Sequence, residues 1–426
     1  MFTPKIRTFF FTAGVLFMVS LPGLFSQNAG LSRHQLEAET RTSFQEGNYR
    51  TALSGFRKLM EVEPADPMHP YHAGICLVKL NKDLDDAIEY LYGASANGVP
   101  VDVNYYLGLA YHRNYNFPDA GKYFKRFKME ASRQEATEYN LSHLLATITS
   151  AAEITASYNP FEVMNVTFMD LKDSAQFSQV KMKGGHLQRK PAAYFSHNED
   201  PYGLTSLVFV PRNPTRGDYI YFSGYGRNRK DGVQLFRIKK GTGNSWGDPE
   251  EIKALNSRGD EILPYFDPIE SDLYFASDGR LGVGGFDLYR THYDTERDRW
   301  SEPINLGFPV NSAMDEYLLL PGSDLGMVMF FSTRQGTDSS LTVYRVHLVE
   351  PKKKTAPNDS KMLREIARMG GVAEDILAEL EEIEQAGILD ERSKASAKES
   401  ISEQQEQEQV SQAPTPVTVL SESKVQ

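Results

Sequence analysis

Apolar and polar positions change rhythm twice along this chain. From residue 31 to about 157, apolar residues recur at helical spacing, as in Leu107 and Tyr111 or Ala120 and Phe124, the pattern of helices that bury one face. From 161 to 350 the sequence breaks into short blocks of β-formers separated by Gly, Asp, Asn and Pro, the pattern of short strands joined by tight turns. Past 351 a polar linker (Lys352 to Lys354, Pro357) leads back to helical spacing, in Met362, Ile366 and Met369 and then in Val372, Ile376, Leu380 and Ile383, with Gly370-Gly371 between the two pieces. Beyond Leu389, Ser, Gln, Glu and Lys dominate and no core can be assembled, so disorder is expected there.

The strand region repeats itself. Trp246 and Trp300, the only tryptophans, stand 54 residues apart, each shortly before a proline (Pro249, Pro303). Asp260-Glu261 and Asp315-Glu316 are offset by 55, and Phe236-Arg237, Tyr289-Arg290 and Tyr344-Arg345 by 53 and then 55. A fixed period of this size predicts a blade array of the β-propeller kind. In the middle unit the strands read Glu261 to Asp267, Asp272 to Ser277, Phe286 to His292 and Trp300 to Leu306, with Ser277-Asp278-Gly279-Arg280 as a hairpin turn. The last period stops after Leu341 to Leu348, one strand short, and Val163 to Leu171 is apolar enough to complete it, which would cover an otherwise open edge. Residues 161 to 215 leave room for one or two degenerate units.

These residues resemble the PD40, or WD40-like, repeats of TolB-type propellers and of cell-envelope proteins of Bacteroidetes. The likeness is carried by Leu273 to Arg290, by Trp300-Ser-Glu-Pro303 and by Asn311-Ser-Ala-Met-Asp-Glu316, with a good match from Tyr219 and a worn one from Met327. The helical part resembles tetratricopeptide repeats (TPR). Gly47, Tyr49, Ala52, Phe56 and Pro64 fall at that family's spacing, as do Leu107, Gly108, Tyr111, Phe117, Ala120 and Phe124. Gly74, Ala87, Leu91 and Ala94 form a middle repeat with one inserted residue, and the first repeat lacks the Gly and Tyr of its first helix. Gly108 and Ala120 are small where paired helices must approach closely. Glu135 to Ser157 reads as a capping helix, ended by Tyr158-Asn-Pro160.

Lys5 and Arg7 precede an apolar run, Phe9 to Phe25, broken by Gly14, Pro22 and Gly23. This reads as a secretory signal peptide over residues 1–26, cleaved near Ser26-Gln27, and not as a membrane span. No cysteine follows the run, so a lipoprotein anchor is not expected, and Cys76, the single cysteine, leaves no intramolecular disulfide. No later segment reads as transmembrane. A net charge of −11 argues against general nucleic-acid binding.

Candidate chemistry is sparse. Gly282, Gly284 and Gly285 lie between strands with no helix following, so they read as a hairpin link and not a phosphate cradle. Asp278 reads as a turn cap and, with Asp287, not as part of a cation loop. The Asp-Glu pairs recur in each unit, as a turn-ordering device would, whereas catalysis requires one asymmetric constellation. The nine histidines show no His-x-x-x-His or His-Glu-x-x-His grouping, no Gly-x-Ser-x-Gly elbow is present, and the sialidase box Ser-x-Asp-x-Gly-x-Thr-Trp is missing. Lys122, Lys125, Arg126 and Lys128 flank Phe124 and Phe127 as the solvated face of a helix.

The expectation is therefore a multidomain α and β protein. A TPR-type α-solenoid (31–157) precedes a WD40-like β-propeller (161–350), followed by a linker, an amphipathic helix and a disordered tail (351–426). The two folded parts are expected to have separate cores. The resemblance implies a non-enzymatic periplasmic or outer-membrane-associated scaffold without cofactor or metal, binding envelope proteins, by analogy with accessory proteins of type IX secretion. The alternative is a glycan-binding or glycan-hydrolysing, sialidase-like propeller. Related envelope proteins often continue into an OmpA-like domain; this chain has no room for one, so peptidoglycan binding is not carried over.

Overall fold

The computed structural model describes residues 33–159, 161–170, 185–189, 207–212, 214, 218–225, 232–243, 245–321, 327–335, 340–347, 354–356 and 359–369. The signal-peptide reading, the second amphipathic piece and the disordered tail lie outside them.

Residues 33–155 are helical: α1 (Arg33–Gln45), α2 (Tyr49–Val62), α3 (Met68–Leu80), α4 (Leu84–Ser95), α5 (Val103–Arg113), α6 (Phe117–Glu130), α7 (Arg133–Glu138) and α8 (Leu141–Thr155). From α1 to α6 each helix packs on the next, and α3 also meets α5, the contact pattern of stacked helical hairpins. Small residues set the spacing. A Cβ on Gly74 would lie 2.6 Å from Leu91 Cγ, and one on Gly108 2.6 Å from the Phe124 ring. In the first hairpin the roles are exchanged: Thr40 is the buried residue on the first helix, and Gly55 on the second makes room for it, a Cβ there lying 2.8 Å from Thr40 Cγ2. The close approach survives although the small residue has changed sides.

The expected capping helix from Glu135 to Ser157 is two helices. Ser132 and Glu135 form a reciprocal capping box that starts α7, and Asn140, at φ 47°, turns the chain before α8 begins. Asn and Asp adopt this left-handed conformation more readily than other non-glycine residues.

Antiparallel sheets follow, and none closes into a barrel among the described residues. β3 (Gly185–Arg189) pairs β4 (Leu207–Pro211); β5 (Tyr219–Tyr225) pairs β6 (Val233–Lys239), which pairs β7 (Glu250–Glu251). β8 (Glu261–Asp267), β9 (Asp272–Ser277) and β10 (Asp287–Asp294) form the next sheet. Its expected fourth strand divides into β11 (Arg299–Trp300) and β12 (Ile304–Asn305), both paired with β10, with Ser301-Glu302-Pro303 between them because proline cannot donate to a ladder.

The last sheet runs β13 (Glu316–Pro321), β14 (Met327–Ser332), β15 (Ser340–His347) and β2 (Glu162–Asp170). An early strand thus completes the unit that ends one strand short, paired from Ser340 opposite Asp170 to His347 opposite Glu162, with one register shift between Arg345 and Val346. The register of β8 on β9 shifts after Ile262 and that of β13 on β14 after Tyr317. Leu263 and Leu318, at φ 54° and 37°, occupy those shifts, so a bulge recurs with the sequence period.

The helices and the sheets each have a buried cluster of their own, one around Phe56, Leu77 and Leu107 and the other around Ile262, Phe330 and Tyr344, and a third is shared between them. This shared cluster holds Tyr115, Phe117, Phe124 and Ile148 from the helices together with Val283, Phe308 and Ala313 from the sheet connections. The linker residues Lys354–Thr355 form a strand, β16, paired with β1 (Ser157–Tyr158), and α9 (Ser360–Arg368) adds Leu363 and Ala367 to the same cluster.

Candidate functional site

The chemistry-bearing residues gather where the helices meet the connections between strands. Two copies of one polar lattice lie there, Asn256-Ser257-x-x-Asp260-Glu261 and Asn311-Ser312-x-x-Asp315-Glu316. Asn256 and Asn311 each accept a strand amide at 2.8 Å, from Leu235 and Leu288. Glu261 accepts from the Ser257 amide at 2.9 Å and the Ser277 hydroxyl at 2.9 Å; Glu316 does the same with Ser312 and Ser332, both at 2.8 Å. Asp260 and Asp315 reach back to the preceding unit and accept the amides of Val233 at 2.7 Å and Phe286 at 3.0 Å. Both Glu residues are fully buried, and burial holds the Glu261 carboxyl above its ordinary range. Buried carboxylates persist because such bonds replace hydration.

The two copies differ in their cation. In the first, Arg280 donates to Leu255 O at 2.9 Å. In the second, Arg334 donates to the corresponding Val310 O at 2.6 Å and also pairs with Glu316 at 2.9 Å, its side chain 4% exposed.

Gly282, Gly284 and Gly285 form the link between β9 and β10, and space explains them. A Cβ on Gly282 would lie 1.5 Å from Asp287 Oδ2, and one on Gly284 2.0 Å from Met314 O. The amides of Val283 and Gly284 donate to Asp287 at 2.5 and 3.3 Å, and Asn305 Nδ2 adds a third bond at 3.1 Å. The loop therefore cradles the protein's own carboxylate. Burial, with Glu316 nearby, pushes Asp287 up to about 8. Asp278 accepts the Asp260 amide at 2.6 Å as a turn cap, and burial raises it to about 6.

The helices grip these same turns. His112 bonds through Nε2 to Val283 O at 2.7 Å, and full burial lowers it to about 4. His143 bonds to the backbone of Asp278. The Ala313 amide donates to the Tyr115 hydroxyl at 3.2 Å, and the Asn159 amide to Phe308 O at 3.0 Å. Sequence reasoning missed this junction. It searched the histidines for metal spacing, whereas the partners of His112 and His143 are backbone groups more than a hundred residues away.

The remaining candidates are scattered. Lys122, Lys125, Arg126 and Lys128 are exposed while Phe124 and Phe127 are fully buried, so the stripe is a solvated helix face. Cys76 is buried and free. A motif search also missed Glu63, Asp66 and His69, whose ligand atoms lie within 4.8 Å of one another across the turn from α2 to α3. Arg33 pairs with Glu63 at 2.8 Å and Asp66 caps the Met68 amide at 2.9 Å, so both carboxylates already have structural partners.

No helix among the described residues is long and apolar enough to cross a membrane. The carboxylates singled out in the repeats all act as acceptors for amides, hydroxyls or a guanidinium, and the groups that join helices to sheets do so through backbone atoms. These bonds order the turns between strands and hold them against the helices. No family model matches the chain, and no curated protein matches it either.

Proposed function

We propose that this chain is a non-enzymatic scaffold of the cell envelope, a short TPR-like solenoid docked on a PD40-like propeller, which binds partner proteins by surface. The observation that carries the reading is the twofold lattice of Asn, Ser, Asp and Glu. Both copies use the same internal partners, so these polar residues serve the repeat, and repeat architectures present extended binding surfaces. The stacked hairpins with their small-for-large pairs support the solenoid half. The periplasmic or outer-membrane location is part of the proposal and follows from the apolar run at residues 9–25.

The test is affinity capture of the full chain from crosslinked envelope fractions, run beside a panel of envelope glycans. Enrichment of one envelope protein that a Trp300→Ala variant, refolded and melting cooperatively, still captures is the expected result. Saturable glycan binding without protein capture would overturn the scaffold reading in favour of the glycan-binding one.

A further inference from the structure

Helix α9 is nine residues long, too short to be stable alone in water, so its order comes from its seat. Leu363 and Ala367 are buried in the cluster that holds Phe308 and Val283, with Ile366 partly buried against it, and Met369 is buried in the main sheet core. These apolar positions follow the i, i+3, i+4 pattern of a helix lying in a groove. Arg364 reaches Asp85 of α4 at 3.4 Å.

The seat also reads the end of the helix. A helix leaves its last carbonyls without partners. Here Arg334 Nη1 donates to Ala367 O at 2.7 Å, and Gln335 Nε2 to Arg368 O at 2.9 Å. The other donors of Arg334 are engaged within the sheet connections, by Ser332 Oγ, Pro309 O, Val310 O and Glu316. The guanidinium is thus held in place by contacts that do not involve α9, with one N–H aimed at the helix end. On the sheet side, this is a preorganised receptor for the C-terminus of a short amphipathic helix.

We propose that α9 is a tethered ligand: the cleft between helices and sheets is a binding site for a short amphipathic helix, filled in cis by residues 360–369. A partner helix with the same apolar spacing and a free C-terminal turn would enter the same seat when it outcompetes the tether. This deepens the scaffold reading by naming where a partner binds, and it rests on that reading only for the partner. The exchange of the chain's own segment is measurable whether or not envelope capture succeeds.

The experiment places a specific protease site between His347 and Lys354 of the full chain and cleaves it. The released segment is expected to remain bound at high concentration and to exchange, on dilution, with a fluorescent peptide of residues 354–370. The uncleaved chain should take up the peptide far more weakly, because a short tether supplies a local concentration on the order of millimolar. A Leu363→Asp peptide should bind about tenfold to hundredfold more weakly, the loss expected for one buried leucine. The proposal is overturned if the peptide fails to bind the cleaved protein, if the Leu363→Asp peptide binds as well, or if the segment leaves only when the whole protein unfolds in urea.

Discussion

At the scale of single residues, burial decides what each polar group can do. His112 sits at about 4 against an ordinary 6.5 because the neutral ring is favoured where it bonds Val283 O. A base whose folded value is lowered contributes stability that is complete above 6.5 and lost as pH falls from 6.5 through 4. Between about pH 7.5 and about pH 5 the wild type should therefore lose about 2 kcal/mol more than His112→Gln in urea titrations; parallel losses would show that the ring is not buried neutral. Arg334 is the opposite case, a buried cation paired with Glu316. Arg334→Met leaves that carboxylate unpaired and should cost about 3–5 kcal/mol, read as a fall in the urea midpoint. Trp300 is half-buried, against Tyr221, Phe266 and Tyr293, so Trp300→Ala should cost about 2 kcal/mol, below the range for full burial. A melt that matches the wild type would remove Trp300 from the packing of its sheet. The sequence marked the Asp-Glu pairs as repeated, and their offset alone gave that. It could not mark His112, whose partner is a backbone carbonyl, which every residue has, nor the three carbonyls that Arg334 reaches beside Glu316.

At the scale of elements, short-range patterns were legible and breaks were less so. The strands at Glu261 to Asp267 and Asp272 to Ser277 were readable to the residue because Asp, Ser and Gly punctuate both ends. The fourth strand of that unit was read as one because Trp300 and Ile304 both favour strands, and Pro303 divides it. The capping helix was read as one for a similar reason, since Asn140 interrupts it without glycine or proline as a signal. Close helix contacts were legible at Gly108, whose missing side chain admits the Phe124 ring. Gly108→Ala should cost about 1–3 kcal/mol through overpacking, and adding Phe124→Leu should recover part of that in thermal melts. If Gly108→Ala instead stabilises the helix, as an unconstrained glycine replacement would, the close approach of α5 and α6 is wrong.

At the scale of the whole molecule, the helices and the sheets keep buried clusters of their own and share a further one. Tyr115 and Phe117 look like ordinary helix-start residues, yet they share a cluster with Phe308 and Ala313 some two hundred residues later, a separation that local pattern cannot reveal. The proposed scaffold depends on the β region being a body whose first strand completes its last sheet, which fixes the surfaces it offers. Paired cysteines measure this most directly. In an antiparallel ladder, neighbouring opposite pairs alternate between hydrogen-bonded and non-hydrogen-bonded types, the latter having closer side chains. One of Val343–Thr167 and Thr342–Phe168, which face each other across β15 and β2, is therefore suited to a disulfide. Of two double-cysteine variants of the full chain, at least one should crosslink completely under mild oxidation while keeping the wild-type melt. If neither crosslinks in a folded protein, β2 does not complete the last sheet and the account of the β region fails.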